Sequence, residues 1–321
     1  MLTKKTLLSA IIPALLLTAC GGSSDESATF SLGISDAPVD GLSQVVICFN
    51  QVELKGGDKS KVFTVGDDAG VLPADSICGD TPNTVGIDLK AYTGVNSISL
   101  LSNVDVEAGE YTQLRLTMSE GSYAVPMDED GNELDEQIPV TVPSNELKLD
   151  GFTVAQGGST AYTLEFDLRK SMTNPVGKDE YFLKPRGVRL VDDNQIGSLS
   201  GSVDDAFIMN NCELDQLPVD VALAAVYIYP ADEKTLLEDN MAVYSDDALE
   251  PLASSVLTTD GAGNHSFEIG FVPVGDYTAA FTCNTDDDAE LDDDIQFVDT
   301  EEVNVAVDTN TEVVFIVDSE Q

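Results

Sequence analysis

The sequence predicts an all-β protein with two β-sandwich domains. Apolar and polar residues alternate over strand-length segments, clusters of Gly, Asn and Asp separate these segments, and helical periodicity is scarce. The chain has 321 residues, of which 42% are hydrophobic. Because a single hydrophobic core seldom grows beyond about 250–300 residues, this length favours two domains.

The alternation indicates individual strands. It is clearest at residues 30–34, 45–54, 114–118 and 162–168. Turn signals follow at residues 55–58, 130–132, 156–158 and 260–264, where glycine and Asn or Asp supply the backbone conformations that tight turns require. Only residues 232–240 show the periodicity of a helix, and residues 90–95 suggest a helical turn.

The N-terminus predicts a lipoprotein signal peptide over residues 1–19. Two lysines precede an apolar stretch that is shorter than the ~20 residues of a transmembrane helix. The stretch ends in Leu17-Thr18-Ala19-Cys20, which resembles the lipobox of bacterial lipoproteins. This resemblance implies a lipidated Cys20, acylated with chains such as palmitate, at the mature N-terminus. Gly at position 21, rather than Asp, favours the outer membrane.

The organisation after the signal peptide follows from composition. Residues 20–27 form the lipidated cysteine and a flexible polar tether, and residues 28–194 and 195–321 form the two domains. A new strand pattern begins at residue 196, and the second domain has 29 acidic residues and one basic residue, Lys234. The formal net charge of −43 excludes nucleic-acid binding, because that affinity comes from Lys and Arg.

Four cysteines remain if Cys20 carries lipid. Three pairings of the four are possible, and an oxidising compartment favours disulfides over free thiols. The division into two domains favours one bond in each, Cys48–Cys78 and Cys212–Cys283.

The first domain resembles the domain of unknown function 4382 family of bacterial lipoproteins. The resemblance spans about residues 28–194 and implies a secreted β-sandwich, with no catalytic or ligand-binding residues carried over. The matching segments are residues 35–40 (SDAPVD), 45–55 (VVICFNQVELK), 87–89 (IDL), 108–116 (AGEYTQLRL), 147–149 (LKL), 166–171 (FDLRKS), 183–185 (LKP) and 189–193 (RLVDD).

The second domain resembles transthyretin-like, carboxypeptidase-regulatory-like sandwiches through residues 258–267 and 272–278. This resemblance implies β-sandwich domains of transthyretin- or immunoglobulin-like type. The segment at residues 272–278, VPVGDYT, also repeats the VEAGEYT of residues 106–112. In both copies the pattern predicts a turn after which a tyrosine opens a strand, its ring packed beneath the turn.

The motifs of common enzymes are absent. His265, the one histidine, is expected in a polar hairpin turn, and no nucleophile motif lies near it. A carboxylate-based hydrolase is an alternative, because such enzymes use a pair of carboxylates and the chain has 58 acidic residues that could form one. Half of the mature chain's basic residues lie in one segment, residues 169–189, where they either form a recessed anion site or neutralise nearby carboxylates.

Residues 286–294, shortly after Cys283, contain seven carboxylates in nine residues. Such dense charge requires either a solvated loop or a hard cation such as Ca²⁺. If the segment is extended, alternate residues share one side, so the candidate ligands are Asp286, Asp288, Glu290 and Asp292. Residues 128–132 are a weaker candidate, and neither segment has the EF-hand spacing.

The sequence therefore predicts an outer-membrane-anchored lipoprotein that acts as a non-catalytic binding or envelope component. A calcium-stabilised, adhesin-like surface module is an alternative, as is the hydrolase. The expected partners are the membrane, through the N-terminal lipid, and a protein or glycan that the residues do not identify. Orientation towards the periplasm or the cell surface is left open.

Overall fold

A computed structural model describes residues 27–37, 41–128, 131–175, 177–212, 224–232, 234, 236–241, 243–260, 262–293 and 295–316. The signal peptide, Cys20 and the tether up to residue 26 lie outside these residues. So do residues 129 and 130 of the weaker acidic candidate.

The first half of the chain is built almost entirely from strands. It also contains a helix, α1 (Leu168–Ser171), and 3-10 helices at Gly57–Lys59, Leu89–Ala91, Pro185–Gly187 and Asp193–Gln195. The strands are β1 (Ser27–Ala37), β2 (Leu42–Lys55), β3 (Lys61–Thr64), β4 (Val85–Asp88), β5 (Ile98–Glu107), β6 (Gly109–Tyr111), β7 (Gln113–Met118), β8 (Tyr123–Pro126), β9 (Ile138–Thr141), β10 (Glu146–Leu149), β11 (Phe152–Val154), β12 (Ser159–Asp167), β13 (Met172–Thr173), β14 (Tyr181–Leu183) and β15 (Val188–Asp192).

These strands form a sandwich. One sheet has the order β15-β12-β1-β5, and a second, larger sheet has the order β10-β7-β2-β8-β9-β14-β13, with β3 and β4 also paired to β2. Strands β6 and β11 form a separate pair. Side chains of both large sheets, such as Phe30 of β1 and Val52 of β2, share one buried hydrophobic core.

The second half repeats this architecture on a smaller scale. Its one helix among the described residues is α2 (Asp205–Asn211). The strands are β16 (Ile196–Val203), β17 (Ala225–Pro230), β18 (Leu236–Leu237), β19 (Ala248–Leu249), β20 (Ala253–Val256), β21 (Thr258–Thr259), β22 (His265–Pro273), β23 (Gly275–Thr282), β24 (Phe297–Val305) and β25 (Asn310–Phe315).

The second sandwich packs the sheet β21-β22-β16-β25 against the sheet β20-β17-β23-β24. Its main core combines residues of both sheets, for example Phe315 of β25 and Phe281 of β23. The all-β sandwich prediction is confirmed. The cores of the two sandwiches draw on residues 28–188 and 199–315 respectively. The domain boundary that the sequence predicts, between residues 194 and 195, agrees with this division, and we propose it as the boundary.

One disulfide lies in each sandwich, in the pairing that the division into two domains favours. Cys48 of β2 bonds to Cys78 in the loop before β4. Cys212, the C-cap of α2, bonds to Cys283 directly after β23. The second bond fixes the start of the acidic loop at residues 284–293.

The repeated tyrosine turn has the same geometry in both sandwiches. The Tyr111 hydroxyl donates a hydrogen bond to the carbonyl of Glu107 at 2.9 Å, and the Tyr277 hydroxyl donates one to the carbonyl of Pro273 at 2.8 Å. Both rings are buried. As predicted, each tyrosine packs beneath the turn, and it lies four residues after the carbonyl that it binds. The tyrosines do not open their strands: Tyr111 is the last residue of β6, and Tyr277 is the third residue of β23.

The prediction of a helix at residues 232–240 is wrong. The described residues there include the short strand β18 and irregular backbone, because Leu236 and Leu237 pair with β19 instead of forming an apolar helical face. The structure instead places α2 at Asp205–Asn211, where the Asp204 side chain caps the helix by accepting a hydrogen bond from the Ala206 amide. No helix within the described ranges has both the length and the apolar character needed to cross a bilayer.

The two sandwiches approach closely at a pair of glycines. Gly94 follows the first 3-10 turn after β4, and Gly270 lies in the middle of β22. A β-carbon on Gly270 would overlap the carbonyl group of Gly94. Because the obstacle is backbone and not the end of a flexible side chain, a larger residue would force the two sandwiches apart.

We therefore expect Gly270→Ala to lower the free energy of unfolding by roughly 1–3 kcal/mol, the usual cost of overpacking. Gly275→Ala is the matched control. A β-carbon there meets only the Tyr277 ring, at 3.5 Å or more, so this change should be neutral or slightly stabilising. Urea unfolding of both variants measures the difference, and equal stabilities would contradict the close approach.

Candidate functional site

The junction between the sandwiches begins at α1, a single helical turn that is buried and charged. Asp167 caps it, since its carboxylate accepts a hydrogen bond from the Lys170 amide at 3.1 Å. Arg169 and Lys170 are only 5% and 7% exposed. Arg and Lys are almost never this buried unless they are paired. Their partners lie on the second sandwich.

Arg169 is held by three groups of the second sandwich. Its Nη2 donates to the Tyr227 hydroxyl at 2.8 Å and to the Thr285 carbonyl at 3.4 Å, and lies 3.6 Å from Asp287 Oδ2. The Tyr227 hydroxyl in turn donates to Asp287 Oδ2. Because the Arg169 and Asp287 side chains are 2% and 0% exposed, this ion pair is fully buried. It joins α1 to β17 and to the acidic loop.

Further cations of the same segment also cross the junction. Lys170 forms an ion pair with Glu250, and Lys184 forms one with Glu290. Arg186 lies 3.7 Å from Glu290 and donates to the carbonyl of Ala289. For the basic segment, residues 169–189, the sequence left two alternatives, an anion site or neutralisation of nearby carboxylates. In the structure, its cations in large part neutralise the acidic loop of the other sandwich.

Burial determines the protonation of the central groups. It raises the pKa of Tyr227 far above its ordinary value, so the tyrosine stays a neutral donor. Burial also raises the pKa of Asp287, and Arg169 opposes this increase, together with the hydrogen bonds from Tyr227 and Asn240.

A cleft of about 480 Å³ opens beside these contacts, and we call it the junction cleft. Both sandwiches line it. Its wall includes Tyr244 and the apolar residues Pro251 and Leu252. Its charged lining residues are Lys170, Arg186, Arg189 and Lys234 on the basic side and Asp167, Asp232 and Glu250 on the acidic side.

A second group of buried charges lies in the first sandwich, next to the cleft. Glu165 of β12 is directly opposite Arg189 of β15. Burial raises the pKa of Glu165 to about 8 although Arg189 opposes the shift. Burial, and then Glu165, also raise the pKa of Asp36 on β1. At neutral pH Glu165 is therefore mainly protonated, which limits the charge buried in this sheet.

The four predicted calcium ligands do not come together. Asp286 and Asp288 are exposed, and Asp288 caps a turn by accepting from the Glu290 amide at 2.9 Å. Glu290 is paired with Lys184 and Arg186 across the junction. The loop is turned and not extended, so alternate residues do not share one side.

Other carboxylates do converge. One carboxylate oxygen each of Asp239, Asp287 and Asp293 lies within 4.8 Å of the others, and Glu238, Asp239 and Asp292 form an adjoining group. Of the four predicted ligands, only Asp292 belongs to either group. Sequence reasoning missed Asp239 because it was assigned to a helix.

His265 is not in a solvated turn. It is the first residue of β22 and is 4% exposed, with Nδ1 at 2.8 Å from the Thr259 hydroxyl and Nε2 at 3.3 Å from Asp205. The strand begins earlier than predicted because residues 265 and 266 pair with β21. The contacts of His265 are structural.

The sequence did not identify Tyr227 as a site residue. A tyrosine inside an apolar strand nevertheless indicates a buried hydroxyl that needs a hydrogen-bond partner.

The raised pKa of Glu165 predicts a pH-dependent stability. Between about pH 4.5 and pH 8 the carboxyl is protonated in the folded protein and ionised in the unfolded chain, so stability falls as pH rises through this window. Glu165→Gln removes this titration. Relative to the unchanged protein, its free energy of unfolding should increase by a few kcal/mol between pH 5 and pH 8.5, at about 1.4 kcal/mol per pKa unit. Urea unfolding at both pH values measures this, and Glu301→Gln, at an exposed position, should show no such increase.

Comparison with solved structures finds only distant similarity. A leucine-rich repeat protein from Bacteroides thetaiotaomicron is 12% identical, with a TM-score of 0.24 over 90% of this chain and 26% of that one. The Bacillus anthracis TIE protein is 9% identical, with a TM-score of 0.20 over 91% and 34%. The minor pilin GBS52 of Streptococcus agalactiae is 11% identical, with a TM-score of 0.19 over 89% and 94%. This chain thus spans about a quarter and a third of the first two proteins, and similarity this low establishes no shared function.

No curated protein matches the sequence significantly. One family model does match: the domain of unknown function DUF4382, over residues 27–185. These residues include the first sandwich up to β14, the buried carboxylates Asp36 and Glu165, and helix α1 with its two junction cations. Residues 27–185, which include the junction residues Arg169, Lys170 and Lys184, match the DUF4382 family.

Proposed function

We propose that this protein is a non-catalytic binding component of the bacterial cell envelope, held at the outer membrane by lipid on Cys20. We further propose that the junction cleft is its binding site. One observation supports this most strongly: four of the chain's 15 basic residues line a single cleft, in a protein with a net charge of −43.

The cleft has the size and the chemistry of a small-ligand site. Its volume of about 480 Å³ falls within the range of known ligand pockets. Cations at its wall, an aromatic ring at Tyr244 and nearby carboxylates match a small polar ligand that carries one anionic group, such as an acidic sugar. Lys234 is exposed and lines the cleft, where its Nζ donates to the Ala248 carbonyl at 3.0 Å. An ammonium group has three donors, so Lys234 can also contact such a ligand.

The carboxylates of the cleft favour binding over hydrolysis. Asp167 is 1% exposed and caps α1, and Glu250 is paired with Lys170. A hydrolase needs one carboxylate that is free to act as an acid and a second that is free to act as a base or nucleophile. Asp167 is engaged in capping α1, and Glu250 is engaged in the ion pair across the junction. Asp232, the third carboxylate of the lining, supplies at most one of the two required groups.

The lipid attachment predicts a clear change of fractionation. Cys20→Ala should move the protein from the outer-membrane fraction to the soluble envelope fraction, because the acyl chains supply its membrane affinity. Mass spectrometry of the unchanged protein should show the lipid on Cys20. Ser23→Ala, three residues away, is the control and should stay with the membrane. A Cys20→Ala protein that still fractionates with outer membranes would contradict this attachment.

The cleft is tested with a matched pair of probes, glucuronate and glucose, which differ in one carboxylate. Calorimetric titration should show millimolar or tighter binding of glucuronate and weaker binding of glucose. Lys234→Gln should weaken glucuronate binding about tenfold or more, since a hydrogen bond to a charged group is worth about 1.5–3 kcal/mol.

Lys178→Gln is the control, because Lys178 is exposed and pairs with Glu180 within the first sandwich. It should leave the affinity for glucuronate unchanged. Equal losses in the two variants would indicate a general charge effect. Absence of glucuronate binding in the unchanged protein would remove the cleft from the proposal.

A further inference from the structure

The carboxylates of Asp239, Asp287 and Asp293 meet where residues 238–241 face the acidic loop. One oxygen of each lies within 4.8 Å of the others. Ca²⁺ binds oxygen at about 2.3–2.6 Å, so ligands on opposite sides of one ion are up to about 5 Å apart. The spacing of the three oxygens therefore fits a single ion.

Three buried oxygens in this cluster have no hydrogen-bond partner among the described residues. They are Asp239 Oδ1, Asp287 Oδ1 and Asn240 Oδ1. Asp239 and Asn240 are 1% and 0% exposed, and the Asp287 side chain is 0% exposed. A buried acceptor without a partner costs about 1–3 kcal/mol, and more if it is charged. A cation bound between Asp239 and Asp287 would give their open oxygens a partner, and Asn240 lies beside it, since its Nδ2 donates to Asp287.

The other atoms of these groups are already fixed. Asp287 Oδ2 accepts hydrogen bonds from Tyr227 and from Asn240 Nδ2, the latter at 2.8 Å. Asp239 Oδ2 accepts from the Asp293 amide. Each of these two carboxylates is thus held through one oxygen and leaves the other open. This arrangement orients the open oxygens before any ion arrives.

The charge of the cluster calls for a divalent cation. Three carboxylates face one buried cation, Arg169, which lies beside Asp287. The donors are all oxygens, which suit Ca²⁺ and not the softer transition metals. The irregular arrangement suits Ca²⁺ better than Mg²⁺, which requires near-octahedral geometry.

We propose that Asp239, Asp287 and Asp293, together with the Asn240 side-chain oxygen, form a Ca²⁺ site. These ligands differ from the alternating set that the sequence suggested. The ion would fix the acidic loop between two supports, the Cys212–Cys283 disulfide at its start and the junction contacts of Glu290 with Lys184 and Arg186. This proposal does not depend on the ligand of the junction cleft.

The test is calorimetric titration of the EDTA-treated full protein with CaCl₂ or MgCl₂, together with thermal unfolding. Ca²⁺ should bind saturably with a Kd of about 10⁻⁵ to 10⁻³ M and raise Tm, and Mg²⁺ should bind at least tenfold more weakly. Equal small shifts with both ions would indicate screening and overturn the proposal.

Asp239→Asn and Asp293→Asn keep the shape of the side chain and should each reduce Ca²⁺ affinity at least tenfold. Asp286→Asn is the matched control: it removes the same charge from the same loop, and Asp286 is not in the cluster. Its affinity should stay within twofold of the unchanged protein. A loss with Asp286→Asn as large as that with Asp239→Asn would contradict the assigned ligands.

Terbium luminescence provides a second readout of ion binding, which can be made on the unchanged protein. The chain has no tryptophan, so tyrosine must sensitise Tb³⁺ emission. Tyr227 donates to the proposed ligand Asp287 and should be the main sensitiser. Tyr227→Phe should reduce the emission severalfold, Tyr162→Phe in the first sandwich should not, and Ca²⁺ should displace Tb³⁺ from the unchanged protein. Tb³⁺ emission that Ca²⁺ does not displace would overturn the site.

Discussion

The buried ion pair between Arg169 and Asp287 is the contact on which the arrangement of the two sandwiches depends. Neither side chain reaches solvent, and Tyr227 is hydrogen-bonded to both. The attraction between two buried charges offsets their desolvation only while both are present, and removal of one partner from such a pair typically costs about 3–5 kcal/mol. If the sandwiches separate, the charges must be rehydrated, so the pair favours a single relative placement.

The same contact explains the uneven charge of the chain. The second half has 29 acidic residues and one basic residue, which by itself implies strong repulsion within the acidic loop. The first sandwich supplies the missing cations from α1 and from the segment up to Arg186. Each half is therefore electrostatically incomplete without the other. A divalent ion at Asp239, Asp287 and Asp293 would neutralise most of the remaining charge at the same place.

Buried carboxylates recur in both sandwiches, and the protein balances them in different ways. In the first sandwich, burial raises the pKa of Glu165 to about 8 and leaves it mainly neutral at pH 7, opposite Arg189. At the junction, Asp287 has a guanidinium and two hydrogen-bond donors beside it. Among the described residues, Asp239 has a backbone donor for one oxygen, and other carboxylates lie around it. The carboxylate of Asp287 is therefore balanced by groups of the protein, whereas that of Asp239 is left to bind an ion.

The sequence by itself determined the strands, the tyrosine turns and the disulfide pairing favoured by two domains, because period-two alternation and turn residues act over a few neighbours. It did not determine which charges meet. Arg169 and Tyr227 are 58 residues apart, and Asn240 and Asp287 are 47 apart. Such contacts depend on how two complete sandwiches pack, and no local pattern encodes that. The misplaced helix at residues 232–240 has the same cause, since pairing with β19 outweighs local periodicity and brings Asp239 and Asn240 to the acidic loop.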